Sequence, residues 1–349
     1  MPNNVSTLNL FQNRQKACGG GGLHRFCHAF DDIISLENLL EAWKEFLKGK
    51  RSKKDVQEFQ LHLMDNILNL HKDLKNKTYH HGGYHAFNIS DPKPRNIHKA
   101  SVRDRLLHHA IYRVLYPYFD KRFIHDSYSC RLNKGTHRAI KQFQRYFWKV
   151  SQNDTKQCWI LKCDIKKFFA SIDHNSLQYI VTNYINDTDT NWLLNQIVSS
   201  FHTSRGKSLP LGNLTSQLLV NIYMNEFDQF MKHKLKVKHY IRYADDFVIL
   251  SADKSYLESL VTEISYFLET KLKLSLHPNK VFIKTFASGT DFLGWVHFPS
   301  HRVLRTTTKR RMLKNLSRNP TKESLASYLG LLKWGNTFQL QRQVTKDKT

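Results

Sequence analysis

Cysteine is scarce in this chain of 349 residues, with five at irregular spacing. An odd, scattered set makes no disulfide framework, so reduced thiols are expected. Long apolar runs are missing too: nothing approaches the roughly 18 residues a membrane-spanning helix needs. A membrane-surface role would want the charge concentrated on one amphipathic helix. The first residues lack a signal-peptide core, and a cytoplasmic location is expected. Acids are also few, 29 Asp plus Glu against 54 Lys plus Arg, a net charge of +25. That excess is far beyond what solubility needs and favours a polyanionic partner, most economically nucleic acid. At 40% hydrophobic the chain can bury one large core and leaves no room for a second enzyme domain.

Against this background one stretch stands out, HYIRYADDFVILS from His239 to Ser251. Asp245 and Asp246 fall between a run ending at Tyr243 and the apolar run Phe247 to Leu250, where two strands would meet in a tight turn. Neighbouring strand residues point to opposite faces, so at most one of the pair aims squarely at a given point. Read alone, the pair fits either a solvated turn or a site for a hard cation such as Mg²⁺ or Mn²⁺. A third acid favours the second reading. CWILKCDIKKFFASI opens as a β-prone run and ends it on Asp164, where a strand would give way to a turn. Acids on separate strands can hold two ions about 3.5–4 Å apart, the arrangement used for in-line phosphoryl transfer.

These residues resemble a reverse transcriptase. Asp164 with Phe168 and Phe169 looks like the family's first palm motif, and Tyr243-Ala244-Asp245-Asp246 like its catalytic tetrad. Between them lies LPLGNLTSQLLVNIYMN, with Leu211 before Gly212 and the ending Ser216-Gln217. That variant is similar to reverse transcriptases of diversity-generating retroelements and to some antiviral-defence enzymes. The Ser-Gln ending fits group II intron enzymes poorly, no room remains for their maturation or endonuclease regions, and retron enzymes also fit less well. The resemblance implies an α+β right-hand polymerase with fingers, antiparallel-sheet palm and short helical thumb. Asp164, Asp245 and Asp246 would ligate two Mg²⁺ ions (or Mn²⁺), with a backbone carbonyl from Ile165. Template RNA, a cDNA or primer strand and dNTPs are the implied partners, with a structured template and a small basic accessory oligomer if the enzyme is of the diversity-generating type.

Other residues carry expectations from the same likeness. Arg95, after Pro92-Lys93-Pro94, matches the triphosphate-binding arginine of a fingers hairpin, and a guanidinium grips two phosphate oxygens as Lys cannot. Phe169 matches the steric gate that excludes a ribose 2′-OH. Leu211 replaces a Gln, and with Gln217 it marks the nucleotide side; an aliphatic chain offers no orienting hydrogen bond, so low fidelity, as misincorporation opposite template adenines, is expected. Lys280 matches a lysine able to protonate leaving pyrophosphate, and a surface lysine is the other reading. Arg131 and Lys134 precede a helix whose N-terminus suits template phosphate. Gly294 and Trp295 resemble the primer grip, and Lys309, Arg310 and Arg311 would line a basic thumb.

Helical periodicity is expected after Ser35, over Val56 to Leu74, after Arg103, through Ile140 to Trp148, over Lys254 to Leu272 and over Ser324 to Trp334. The aromatics of Ile140 to Trp148 read as core, and Asp173 as a helix cap. Cys18, His24, Cys27 and His28 are zinc-capable types without a familiar ligand spacing. The expected divisions are a flexible lead-in at 1–34, fingers at 35–155, palm at 156–298, and thumb and tail at 299–349. A reading of another class, a basic RNA-binding scaffold with an idle palm, would show missing acids, and all three are present.

Overall fold

The computed structural model describes residues 29–89, 94–318 and 321–346. The expectations for Cys18, His24, Cys27, His28, Pro92 and Lys93 lie outside them. Helices mix with antiparallel sheets, which is the α+β class expected. Contacts cluster into two units that interleave along the chain. One holds the described residues up to His125 with Ile165–Lys234 and Phe267–Ser275; the other holds Asp126–Asp164, Leu235–Tyr266 and the described residues from Leu276.

In the first unit the helix Val102–Asp120 is buried on most sides, with Leu106, Leu107, Ala110, Ile111 and Leu115 fully enclosed. Ser101 caps it, its side chain accepting from the Asp104 N–H. Ser35 caps Leu36–Phe46 in the same way through the Asn38 N–H, so both starts follow from short polar side chains offered to orphan donors. The helix expected over Val56 to Leu74 is two, Lys54–Leu61 and Leu63–Lys75. At His62 the backbone leaves helical geometry (φ −117, ψ 40), and the Asn66 side-chain amide donates to the Phe59 carbonyl at 3.0 Å. Strands β1 (Tyr84–Ile89) and β2 (Arg95–Ala100) form an antiparallel hairpin. Asp173 caps His174–Tyr184, as expected.

The second unit is built on a sheet of order β4-β5-β3-β6, comprising β3 (Trp159–Asp164), β4 (Tyr240–Tyr243), β5 (Asp246–Ser251) and β6 (Phe282–Thr285). The register sets Ile160 opposite Leu250 and Lys162 opposite Val248. One sheet face thus carries Ile160, Val248 and Leu250, and these bury against Phe143 and Phe147 of the helix Thr136–Val150 together with Phe286 and Phe292. Residues at helical spacing of three to four meet that face, and the aromatics there are core as expected, apart from Trp148, 38% exposed. A second cluster joins Ile140, Trp295, Leu304, Met312, Leu332, Leu340 and Val344. It unites the meander β7 (Thr290–Phe292), β8 (Trp295–His297) and β9 (Arg302–Leu304) with the helices Thr306–Arg318, Lys322–Leu332 and Phe338–Lys346.

Candidate active site

Two residues, Ala244 and Asp245, connect β4 to β5, and Tyr243 pairs with Asp246 across the turn. Ala244 sits at φ +57, a region that costs an L-residue about 1–2 kcal/mol. Arg242 holds the turn in that state. Its guanidinium, 1% exposed, donates from Nη1 to the Ala244 carbonyl at 3.1 Å and from Nη2 to Ser127 Oγ at 3.0 Å. Its backbone N–H donates to the Asp126 carbonyl at 3.0 Å, and its own carbonyl accepts from the Tyr128 N–H at 3.0 Å. Sequence reasoning missed Arg242; a cation inside the β-prone run His239 to Tyr243 was the available signal.

Strand β3 brings the third acid. Asp164 lies directly opposite Asp246 in the antiparallel register, so both side chains leave the same sheet face with Cβ atoms about 4.5–5.5 Å apart. Lys162, two residues earlier, shares that face. Its Nζ stands 3.3 Å from Asp246 Oδ2 and donates to the Asp291 carbonyl at 2.6 Å. The signal for Lys162 was legible as a lone lysine in the apolar run Trp159 to Cys163, in phase with Asp164. Lys280 Nζ reaches Asp164 Oδ1 at 3.1 Å. Its loop is tied to the same residue, because the His277 N–H donates to the Asp164 carbonyl at 2.8 Å.

Burial pushes the Asp246 carboxyl up to about 6; Lys162 pulls it down, while Asp245 and Asp164 repel its charge. Asp246 Oδ1 is buried without a hydrogen-bond partner. Such an oxygen among like charges is a fitting donor for a hard divalent cation. Among the described residues, however, no three His, Cys, Asp or Glu side chains stand close enough together to hold a metal ion. Lys162 pairs with Asp246 and Lys280 with Asp164, so an ion bound there would share these carboxylates with the two ammonium groups.

Other expected site residues are distributed as follows. Ile165 is buried directly after Asp164. Arg95 is exposed at the start of β2, and Phe169 is half-buried with its ring edge-on to Phe168 at 5.5 Å. Leu211 and Gln217 are half-buried. The Leu211 carbonyl accepts from the His98 N–H at 3.0 Å, and Asn213 Nδ2 donates to the His98 carbonyl at 3.0 Å, so this motif grips β2 by its backbone. Gly212 is required between them: at φ +106, a Cβ would stand 2.8 Å from Ile97 Cγ2. Arg131 donates to the Ser127 carbonyl at 3.0 Å, and Lys134 Nζ lies 5.2 Å from the Tyr128 ring centroid, so both brace their own loop. Lys309 and Arg310 are exposed and Arg311 half-buried on the helix Thr306–Arg318.

Trp295 corrects the expectation. Its indole is 1% exposed inside the second core cluster, so the ring has no face to offer a primer. Gly294, at φ +87 with open space where a Cβ would be, leaves only the hairpin backbone available there.

Comparison with known proteins places these features. Residues 89–297 match the family described as "Reverse transcriptase (RNA-dependent DNA polymerase)". Protein YkfC of Escherichia coli K12 is 26% identical over 285 residues, covering 70% of this chain and 73% of YkfC. The group II intron-encoded protein LtrA of Lactococcus lactis subsp. cremoris is 22% identical over 318 residues, covering 71% of this chain and 51% of LtrA. The retron Ec73 reverse transcriptase of Escherichia coli is 30% identical over 105 residues, 28% of this chain and 33% of that enzyme. The chain thus spans about half of LtrA and a third of the retron enzyme. The expectation that intron and retron enzymes fit less well is not upheld, since the similarities found include both groups.

Proposed function

From a chain that belongs to the reverse transcriptase family, we infer an RNA-directed DNA polymerase whose reaction centres on Asp164, Asp245 and Asp246. The observation carrying this reading is the register of β3 on β5, with Asp164 opposite Asp246 and Asp245 in the adjoining turn. Divalent ions held by these acids would stabilise the charge that builds on the attacking and leaving oxygens. The chain's own part is to aim the carboxylates. Arg242 fixes the turn, Lys162 offsets the charge of a half-buried Asp246, and Lys280 places an ammonium near Asp164 that can donate to departing pyrophosphate. Arg95 is proposed for the triphosphate and Phe169 as the sugar gate. Arg131, Lys134, the Gly294 backbone, Lys309, Arg310 and Arg311 are proposed for the nucleic-acid strands.

The finer reading is a low-fidelity enzyme of the diversity-generating type, supported by Leu211 before Gly212 and by Ser216-Gln217. In it a structured template RNA and a small basic accessory oligomer are the partners. A second reading, a defence enzyme making DNA on a private RNA or without template, shares the same motif variant. Sequencing the products made on a defined RNA decides among them. Misincorporation concentrated at template adenines, reduced in Leu211→Gln, is the expected result; faithful copying by the wild type removes the mutagenic reading, and untemplated product favours the defence reading.

A further inference from the structure

The helix Thr136–Val150 carries Arg138, Lys141, Arg145 and Lys149 and no acid. At 3.6 residues per turn these cations and Trp148 fall within an arc of about 100° and run about 16 Å along the axis. All five are exposed, and the opposite face is the buried one formed by Ala139, Ile140, Phe143 and Phe147. A solvated helix face ordinarily mixes signs to gain i,i+4 pairs. The helix Lys254–Leu272 does so, with Lys254 3.1 Å from Glu258. On Thr136–Val150 no described acid forms an ion pair with any of the four cations, although Lys141 lies 5.5 Å from the Trp334 ring centroid. Like charges are therefore held in a row without compensation, at a cost to the folded state.

We propose that this stripe is a docking track for single-stranded RNA outside the primer–template duplex, with phosphates along Arg138, Arg145 and Lys149 and an unpaired base on Trp148. RNA is favoured over an acidic protein by the exposed indole set among the cations, the pairing of backbone charge and base stacking that single strands use. The proposal rests on the polymerase reading for the existence of such RNA. It assigns a contact that the acids, the fingers hairpin and the thumb helix do not supply.

The test compares wild type with the triple variant Arg138→Gln, Arg145→Gln, Lys149→Gln, and separately with Trp148→Ala, by fluorescence anisotropy over a range of salt. The probes are a minimal primer–RNA duplex and the same duplex with a single-stranded RNA extension at either end. The triple variant is expected to bind one of the extended probes at least tenfold more weakly near 0.1 M salt. Its log–log salt slope should be shallower by about 2, three cations at about 0.7 each, while binding and extension of the minimal duplex stay unchanged. Trp148→Ala should weaken the extended probe and leave its slope unaltered. Equal slopes for wild type and triple variant on every probe, or an equal loss on the minimal duplex, would overturn the proposal. So would unchanged RNA binding with loss of a protein partner. Extension of the minimal duplex reports on the polymerase reading by itself, so the two failures are distinguishable.

Discussion

At Asp246 burial raises the carboxyl and Lys162 opposes that rise. The lysine is 8% exposed and touches both the carboxylate and the Asp291 carbonyl. Replacing it with Met keeps the packing volume and strands both acceptors, a loss of about 1–3 kcal/mol. Urea denaturation of Lys162→Met should show that drop, and a change below about 0.5 kcal/mol would mean the ammonium is not holding the site. Gly335 makes a steric case. A Cβ there would stand 2.0 Å from Trp295 Cζ3, and Trp295 is enclosed by core. Gly335→Ala is expected to lower stability by about 1–3 kcal/mol through overpacking, seen as a lower melting temperature; an unshifted melt would show that the ring moves freely.

Among the elements, the hairpins carry the information. Phe292 and Trp295 pair across Leu293-Gly294, and both turn residues have positive φ, +51 and +87. Two-residue turns of this kind want Asn-Gly; Leu293 tolerates the geometry because it packs against both core clusters. Gly294→Ala meets no clash, so its cost is conformational, about 1 kcal/mol, and chemical denaturation should return that value. These hairpins also show what could be read beforehand. The strand ending on Asp164, the Tyr243 to Asp246 turn, the caps at Ser35 and Asp173 and the Lys254–Leu272 helix were legible, because local pattern determines them. Arg242 and Lys162 were not recognised, since a buried cation reveals its role only once strand register supplies its partners. The burial of Trp295 was hidden for a related reason: its pocket comes from Gly335, forty residues further on. The break at His62 had no sequence signal, as both halves share one amphipathic pattern.

For the molecule as a whole, His108 and His297, both buried, and the half-buried His109 make stability sensitive to acid. Burial lowers His109 and His297 to about 4 and holds His108 well below the ordinary histidine value. His297 Nε2 lies 3.2 Å from the Phe292 carbonyl, which requires the proton on that nitrogen, and Nδ1 is buried without a partner. A histidine depressed in the fold leaves the unfolded chain binding more protons below its ordinary value near 6.5. Stability from these groups is complete above that pH and is lost as pH falls toward about 4. Urea midpoints should therefore fall between pH 6.5 and 4, with a smaller fall in His297→Gln; a flat profile would place these rings in contact with water.

In the proposed reaction centre, Asp164 and the acids of the β4–β5 turn act together in RNA-templated DNA synthesis. The most direct measurement is primer extension on a defined RNA with Mg²⁺, comparing wild type with Asp164→Asn at matched thermal stability and matched RNA affinity. The expected result is RNA-dependent DNA synthesis by the wild type and a loss of at least about a hundredfold in the variant, because under the proposed mechanism a neutral amide at 164 would bring no negative charge to a divalent ion. Synthesis by Asp164→Asn within a few-fold of wild type would contradict the account.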